Sequence, residues 1–143
     1  MAYRMTTVSP LLDALMRDAF NFTGPVQETA PQAWSPRVDL IESETAYLAQ
    51  IELPGLKSDD FELTLDNRVL TLKGERKPPT LDEQAKRHLH ERRAGAFERR
   101  FRFPVPVDAS GIEATFEDGL LSVTVRKAPE AQSQKIQIKS KTA

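Results

Sequence analysis

One feature limits the possible folds more than any other: apolar side chains recur at every second position, in segment after segment. Tyr47, Ala49, Ile51 and Leu53 alternate with other residues, as do Phe61, Leu63 and Leu65, and Phe97, Phe101 and Phe103 keep the same period. Ile112, Ala114 and Phe116 repeat it, followed by Leu121, Val123 and Val125. Successive side chains of a strand point to opposite faces, so period two gives each strand one dry face and one wet face. An amphipathic helix would need apolar residues three and four apart, and no long run of that kind lies between residues 37 and 128. Strands that are wet on one face belong to antiparallel sheets, and two such sheets stack into a sandwich. The turn residues agree. Pro54-Gly55 suits a type II turn, Asp66-Asn67-Arg68 a short hairpin loop, and Asp118-Gly119 a two-residue hairpin. The expected fold class is all-β, an immunoglobulin-like antiparallel β-sandwich.

The 143 residues leave room for one such domain, over 37–128, with an arm over 1–36 and an extension over 129–143. In the arm, Ser9-Pro10 reads as a helix N-cap followed by proline at the first helical position. Leu11, Leu12, Leu15, Met16, Ala19 and Phe20 then fall on one side of a short helix, with Asp13, Arg17 and Asp18 opposite. A helix this short is marginal in water, so its apolar face must dock, either on its own domain or on another chain. Residues 21–36, rich in Pro, Thr, Gln and Ala and holding the sole tryptophan, Trp34, read as a loose linker. The extension is polar except for Ile136 and Ile138. On an extended segment these two point the same way, and burying both would contribute about 3–6 kcal/mol before ordering costs. They read either as a last strand of the domain or as an anchor for a groove elsewhere.

Residues 76–96 resist the sandwich account. They hold Pro78-Pro79, many charges and little apolar content, and a loop this long inside a small domain is usually functional. Its centre, Arg87-His88-Leu89-His90-Glu91-Arg92, reads as a short strand with almost nothing to bury at home. From residue 73 to 103 there are ten basic residues and five acidic ones, whereas 42–66 holds seven acidic residues and one lysine. A basic loop and an acidic strand edge would steer and register two subunits; a solvated charged face is the plainer reading.

Few chemistries remain. Without cysteine there are no disulfides, thiolate metal sites or cysteine nucleophiles. No Gly-rich phosphate loop is present, and no carboxylates are marked as an acid–base pair. His88 and His90 would share a strand face, but two ligands without a third make a poor zinc site. No catalytic, cofactor or metal site is expected, and no enzyme. A formal net charge of −1 gives no global pull toward nucleic acid or membrane. The apolar cluster after Pro10 is broken by charges, so no signal peptide is expected, and the default location is the cytoplasm. Two other functions fit parts of the pattern. One is a nucleic-acid module using the basic residues among Phe97, Phe101 and Phe103; the other is a monomeric β-sandwich adaptor for an ATP-driven chaperone.

Several motifs together carry a family resemblance. The run Pro36-Arg37-Val38-Asp39-Leu40, then Tyr47, then Glu52-Leu53-Pro54-Gly55, resembles the opening of a bacterial alpha-crystallin domain of the small heat shock proteins. Leu70-x-Leu72-x-Gly74-Glu75-Arg76 is similar to a further block, as is Glu91-Arg92 with Gly95-x-Phe97-x-Arg99-x-Phe101-x-x-Pro104. Ala114-x-Phe116-Glu117-Asp118-Gly119-Leu120-Leu121 resembles the family's signature hairpin, and Ile136-x-Ile138 its C-terminal anchor. The match runs in order from about residue 36 to 138. It implies an ATP-independent holdase that binds partly unfolded client proteins and leaves refolding to ATP-driven chaperones. It also implies a homodimer, or a larger oligomer, in which the segment Arg87, His88, Leu89, His90, Glu91 and Arg92 is exchanged between subunits. By position, the anchor groove would be lined by Leu63, Leu65, Ile112 and Ala114. Alternation puts Arg99 on the core-facing side, where a charge is costly unless paired, and the resemblance places it near the dimer interface, in an intersubunit ion pair. Leu11, Leu12, Leu15, Met16, Phe20 and Phe22 are the candidate client-binding residues.

Overall fold

The alternating segments become seven strands in the computed structural model, which describes residues 34–139. They are β1 (Val38–Glu42), β2 (Ala46–Glu52), β3 (Phe61–Asp66), β4 (Val69–Arg76), β5 (Gly95–Arg102), β6 (Val107–Glu117) and β7 (Leu120–Lys127). They form a four-stranded sheet in the order β1-β2-β7-β6 and a three-stranded sheet in the order β3-β4-β5. Every paired neighbour runs antiparallel. The arm helix expected after Pro10 lies outside the described residues.

Register explains how the dry faces are assembled. Tyr47 pairs with Val125, Ala49 with Val123 and Ile51 with Leu121, so the β2–β7 core face is continuous. On the other sheet Leu70 pairs with Phe101, and Gly74 with Phe97. All of these except Gly74 are buried, together with Leu53, Leu72 and Phe103. The Tyr47 and Phe103 rings stack with centroids 4.8 Å apart, linking the sheets. Each large side chain buried this way contributes about 1.5–3 kcal/mol. Gly74 is required by space: a Cβ there would lie 2.5 Å from Phe97 Cζ and 2.7 Å from the Asp60 carbonyl oxygen.

The turns follow their residues. Asp118 and Gly119 both take positive φ, 52° and 78°, as a two-residue hairpin of the primed type demands. Asn67 and Arg68 do the same between β3 and β4. Gly55 at φ +79° completes the Pro54-Gly55 turn, and Leu56 N–H donates to Leu53 O across it. Strand β6 slips register between Val107 and Ile112. At that irregularity Asp108 accepts from the Ser110 hydroxyl and backbone amide, which holds its carboxyl below the usual range.

Among the described residues one charged side chain, Lys127, is buried. Lys127, at the end of β7, donates from Nζ to Glu42 Oε1 at 2.7 Å and lies 5.1 Å from the Tyr47 ring centroid. Burial, then the nearby Glu42 carboxylate, raises the Tyr47 hydroxyl above its ordinary range. The ion pair ties the end of β1 to the end of β7, which β2 separates. The Lys127 side chain is 10% exposed and that of Glu42 31%, so the two ends of the pair differ in access to water. Glu42→Gln removes the counter-charge from a lysine with little access to solvent, and should lower the unfolding free energy by about 1–3 kcal/mol. Lys127→Met should cost less, because Glu42 can turn outward. Urea denaturation checks the order; a larger loss in Lys127→Met would contradict it.

Candidate functional site

Two open sheets have edges, and the features of interest here lie on or beside them. Strands β1 and β6 bound the four-stranded sheet, and β3 and β5 the three-stranded one. The direction of the β1 donors follows from its hydrogen bonds. Glu52 N–H donates to Arg37 O and Ser43 N–H to Ala46 O. Antiparallel pairing alternates, so Arg37, Asp39, Ile41 and Ser43 face β2. The amides of Val38, Leu40 and Glu42 then point away from the sheet. An edge of this kind is a template for another strand.

Residues 77–94 connect β4 to β5 without a strand, and 77–93 are exposed throughout. The short strand expected over 87–92 is absent within the single subunit, since no neighbouring backbone is there to pair with it. Arg87, His88, Leu89, His90, Glu91 and Arg92 are all exposed, Leu89 at 74%. Arg87, Leu89, His90, Glu91 and Arg92 line a shallow depression with Pro79. Arg87 Nη1 donates to His90 Nδ1 at 2.8 Å, which makes the other ring nitrogen of a neutral His90 its N–H.

Leu63 and Leu65 on β3 and Ile112 on β6 are half-buried and pack against the core. Their strands are the edges of opposite sheets, and they meet at one end where Phe61 and Phe116 pack edge to face at 5.0 Å. Ala114 is exposed, between half-buried Ile112 and Phe116 on the same strand face. Beyond the turn Pro129–Ala131 the chain runs on without joining either sheet. Ile136 and Ile138 are 84% and 93% exposed there, so they do not form a last strand of their own domain.

Arg99 occupies the core-facing side of β5, as alternation implies, between Phe97 and Phe101. Its Nη1 donates to Ser35 Oγ at 3.0 Å and to Pro36 O at 3.3 Å, and burial lowers its pKa. Among the described residues it forms no ion pair, and it is not brought together with the 87–92 segment. Leu11, Leu12, Leu15, Met16, Phe20 and Phe22 lie outside the described residues.

Trp34, expected in a loose linker over 21–36, is itself packed; residues 21–33 lie outside the described residues. It is 7% exposed and part of the core, its ring 4.7 Å from that of Phe97. The Arg76 guanidinium lies 3.9 Å from the Trp34 ring centroid. Sequence reasoning missed this pair. The available signal was a lone tryptophan two residues before Pro36, at the threshold of the first strand.

With this geometry in hand, the likenesses to known proteins are specific. Residues 39–139 match the Hsp20/alpha crystallin family. Small heat shock protein C2 of Rickettsia felis is 32% identical over 130 residues, covering 90% of this chain and 84% of that protein. Heat shock protein 16.0 from Schizosaccharomyces pombe has the same fold with a TM-score of 0.65 and 35% identity, covering 76% of this chain and 100% of that one. A small heat-shock protein from Xylella fastidiosa, described as having a distinct high order structure, gives 0.63 and 35% over the same shares. The two-sheet fold with its open edges defines an alpha-crystallin-type sandwich. The chain belongs to the Hsp20/alpha-crystallin family of small heat shock proteins, and its role is that of a chaperone. These likenesses support neither the adaptor nor the nucleic-acid reading. Among the described residues no helix is long and apolar enough to cross a membrane.

Proposed function

We propose that this chain is an ATP-independent holdase that binds partly unfolded proteins under stress and keeps them from aggregating, without catalysing a reaction. It acts in the cytoplasm as a homodimer or a larger assembly of itself, and leaves refolding to ATP-driven chaperones. The observation that carries this reading is apolar surface left outside a well-packed core. Ile136 and Ile138 stand exposed on the tail, while half-buried Leu63, Leu65 and Ile112 line two open edges. An exposed Ile pair facing one way gains free energy only by entering an apolar groove. The groove is that of another subunit, walled by Leu63, Leu65, Ile112 and Ala114. The basic 87–92 segment crosses to the acidic β1 edge of a partner, with Arg99 in an ion pair between subunits. The arm residues Leu11, Leu12, Leu15, Met16, Phe20 and Phe22 contact clients.

The functional test is aggregation of a heat-labile client without nucleotide. Suppression at near-stoichiometric ratios is expected, and a requirement for ATP would refute the holdase reading. Replacing Ile136 and Ile138 together with Ala should shrink the assembly in light scattering while circular dichroism keeps its β signature. Unchanged size would mean that the pair does not hold subunits together. Deleting residues 84–92 should give a folded monomer in sedimentation equilibrium, because this stretch contributes nothing to its own core. A variant that stays dimeric would show that subunits meet elsewhere.

A further inference from the structure

Four stretches remote in sequence converge at one corner of the sandwich: the root of the N-terminal arm, the Pro54-Gly55 turn, and both limbs of the 77–94 loop. Trp34 provides the arm's contact. Its Nε1–H donates to the carbonyl of Gly95 at 2.9 Å, and Gly95 is the residue where the loop re-enters the sheet as β5. Gly95 takes φ +115°, a conformation open to glycine. Arg76 is the last residue of β4, where the loop departs. It lays its guanidinium over the Trp34 ring, donates from Nη2 to Pro54 O at 3.0 Å, and from Nη1 to Arg93 O at 3.4 Å. The Arg92 side chain reaches the same turn: a Cβ on Gly55 would lie 3.2 Å from Arg92 Nη2.

The chemistry of Arg76 is unusual for a surface cation. Among the described residues no carboxylate pairs with it, and its Nε is buried without a hydrogen-bond partner. Burial holds its pKa below the ordinary range, and the Arg92 charge adds to that. A guanidinium in such a place depends on the indole face and on two backbone carbonyls, one of them belonging to the loop. It therefore holds its geometry only while the arm root and the loop limb are both in place. A lysine could not reproduce this, since it lacks the planar fork that stacks and donates at once. On β5, Arg99 adds a second grip on the arm root through Ser35 and Pro36.

We propose that Trp34 and Arg76 form a clasp that couples the root of the N-terminal arm to the base of the 77–94 loop. Releasing either one loosens the other, so the arm root at residues 34–36 and the base of the loop are controlled through a single contact. The coupling does not depend on the holdase reading or on what the loop touches in an assembly.

The loop carries tryptic sites at Lys86 and Arg87, and Trp34 is the sole tryptophan, so both ends of the clasp can be followed in the full-length protein. In the assembled protein well below its unfolding temperature, Trp34→Phe and Arg76→Lys should each speed cleavage after Lys86 and Arg87 by roughly ten-fold. Circular dichroism should remain that of the unaltered chain. Folded variants cut at the unaltered rate would overturn the proposal. Should a variant lose its β-sheet signal, the unaltered chain decides: Trp34 emission should move to the red in step with nicking of the loop. Emission that stays constant until the core itself is digested would equally overturn it.

Discussion

Everything in this molecule depends on the dry contact between two sheets that are each wet on their outer face. Tyr47, Ile51, Val123 and Val125 come from one sheet, Leu70, Leu72, Phe97 and Phe101 from the other, and all are buried. The contact is non-directional and scales with area. The rest is arranged so as not to disturb it. Gly74 keeps Phe97 and the Asp60 carbonyl at close quarters. Lys127 is admitted to the margin with Glu42 as its counter-charge, and primed turns return β3 to β4 and β6 to β7 with the twist that stacking needs.

That same architecture creates the edges. A four-stranded and a three-stranded sheet packed face to face do not close on themselves, so β1, β3, β5 and β6 each leave one side open within the subunit. Open edges are a hazard in a monomer and a resource in a protein whose task is contact with other chains. On the proposed reading, the exposed tail isoleucines and the loop that packs so little of itself at home are the complementary parts. On that reading the chaperone role grows out of the fold's incompleteness.

Period two was enough to read β2, β3, β5, β6 and β7 from sequence, because half-buried strands write their orientation into alternation. Asp118-Gly119 and Pro54-Gly55 were legible because positive φ has few tolerated residues. β1 was not visible by alternation: Val38 and Leu40 are offset by acidic neighbours, and Ile41 on the outer face is half exposed. The 87–92 stretch read as a strand, yet no strand forms in one subunit, since a strand is a relation between two backbones. Trp34 was hidden for the opposite reason. Its burial depends on Phe97, Gly95 and Arg76, residues 42 to 63 positions away, and nothing in its own Pro-, Gln- and Ala-rich neighbourhood announces a core residue. Arg99 was placed correctly on the inner face by alternation, but its grip on Ser35 and Pro36 lies in tertiary geometry.

The central claim is that the β1 edge of one subunit is covered by a segment of another. Amide hydrogen exchange of the assembled protein, resolved at Val38, Leu40 and Glu42, tests it most directly, because within a single subunit these three amides face outward. The account predicts that they exchange on the order of a hundred times more slowly than unstructured amides. Exchange at the unprotected rate, with the amides of Asp39 and Ile41 still slow, would contradict it.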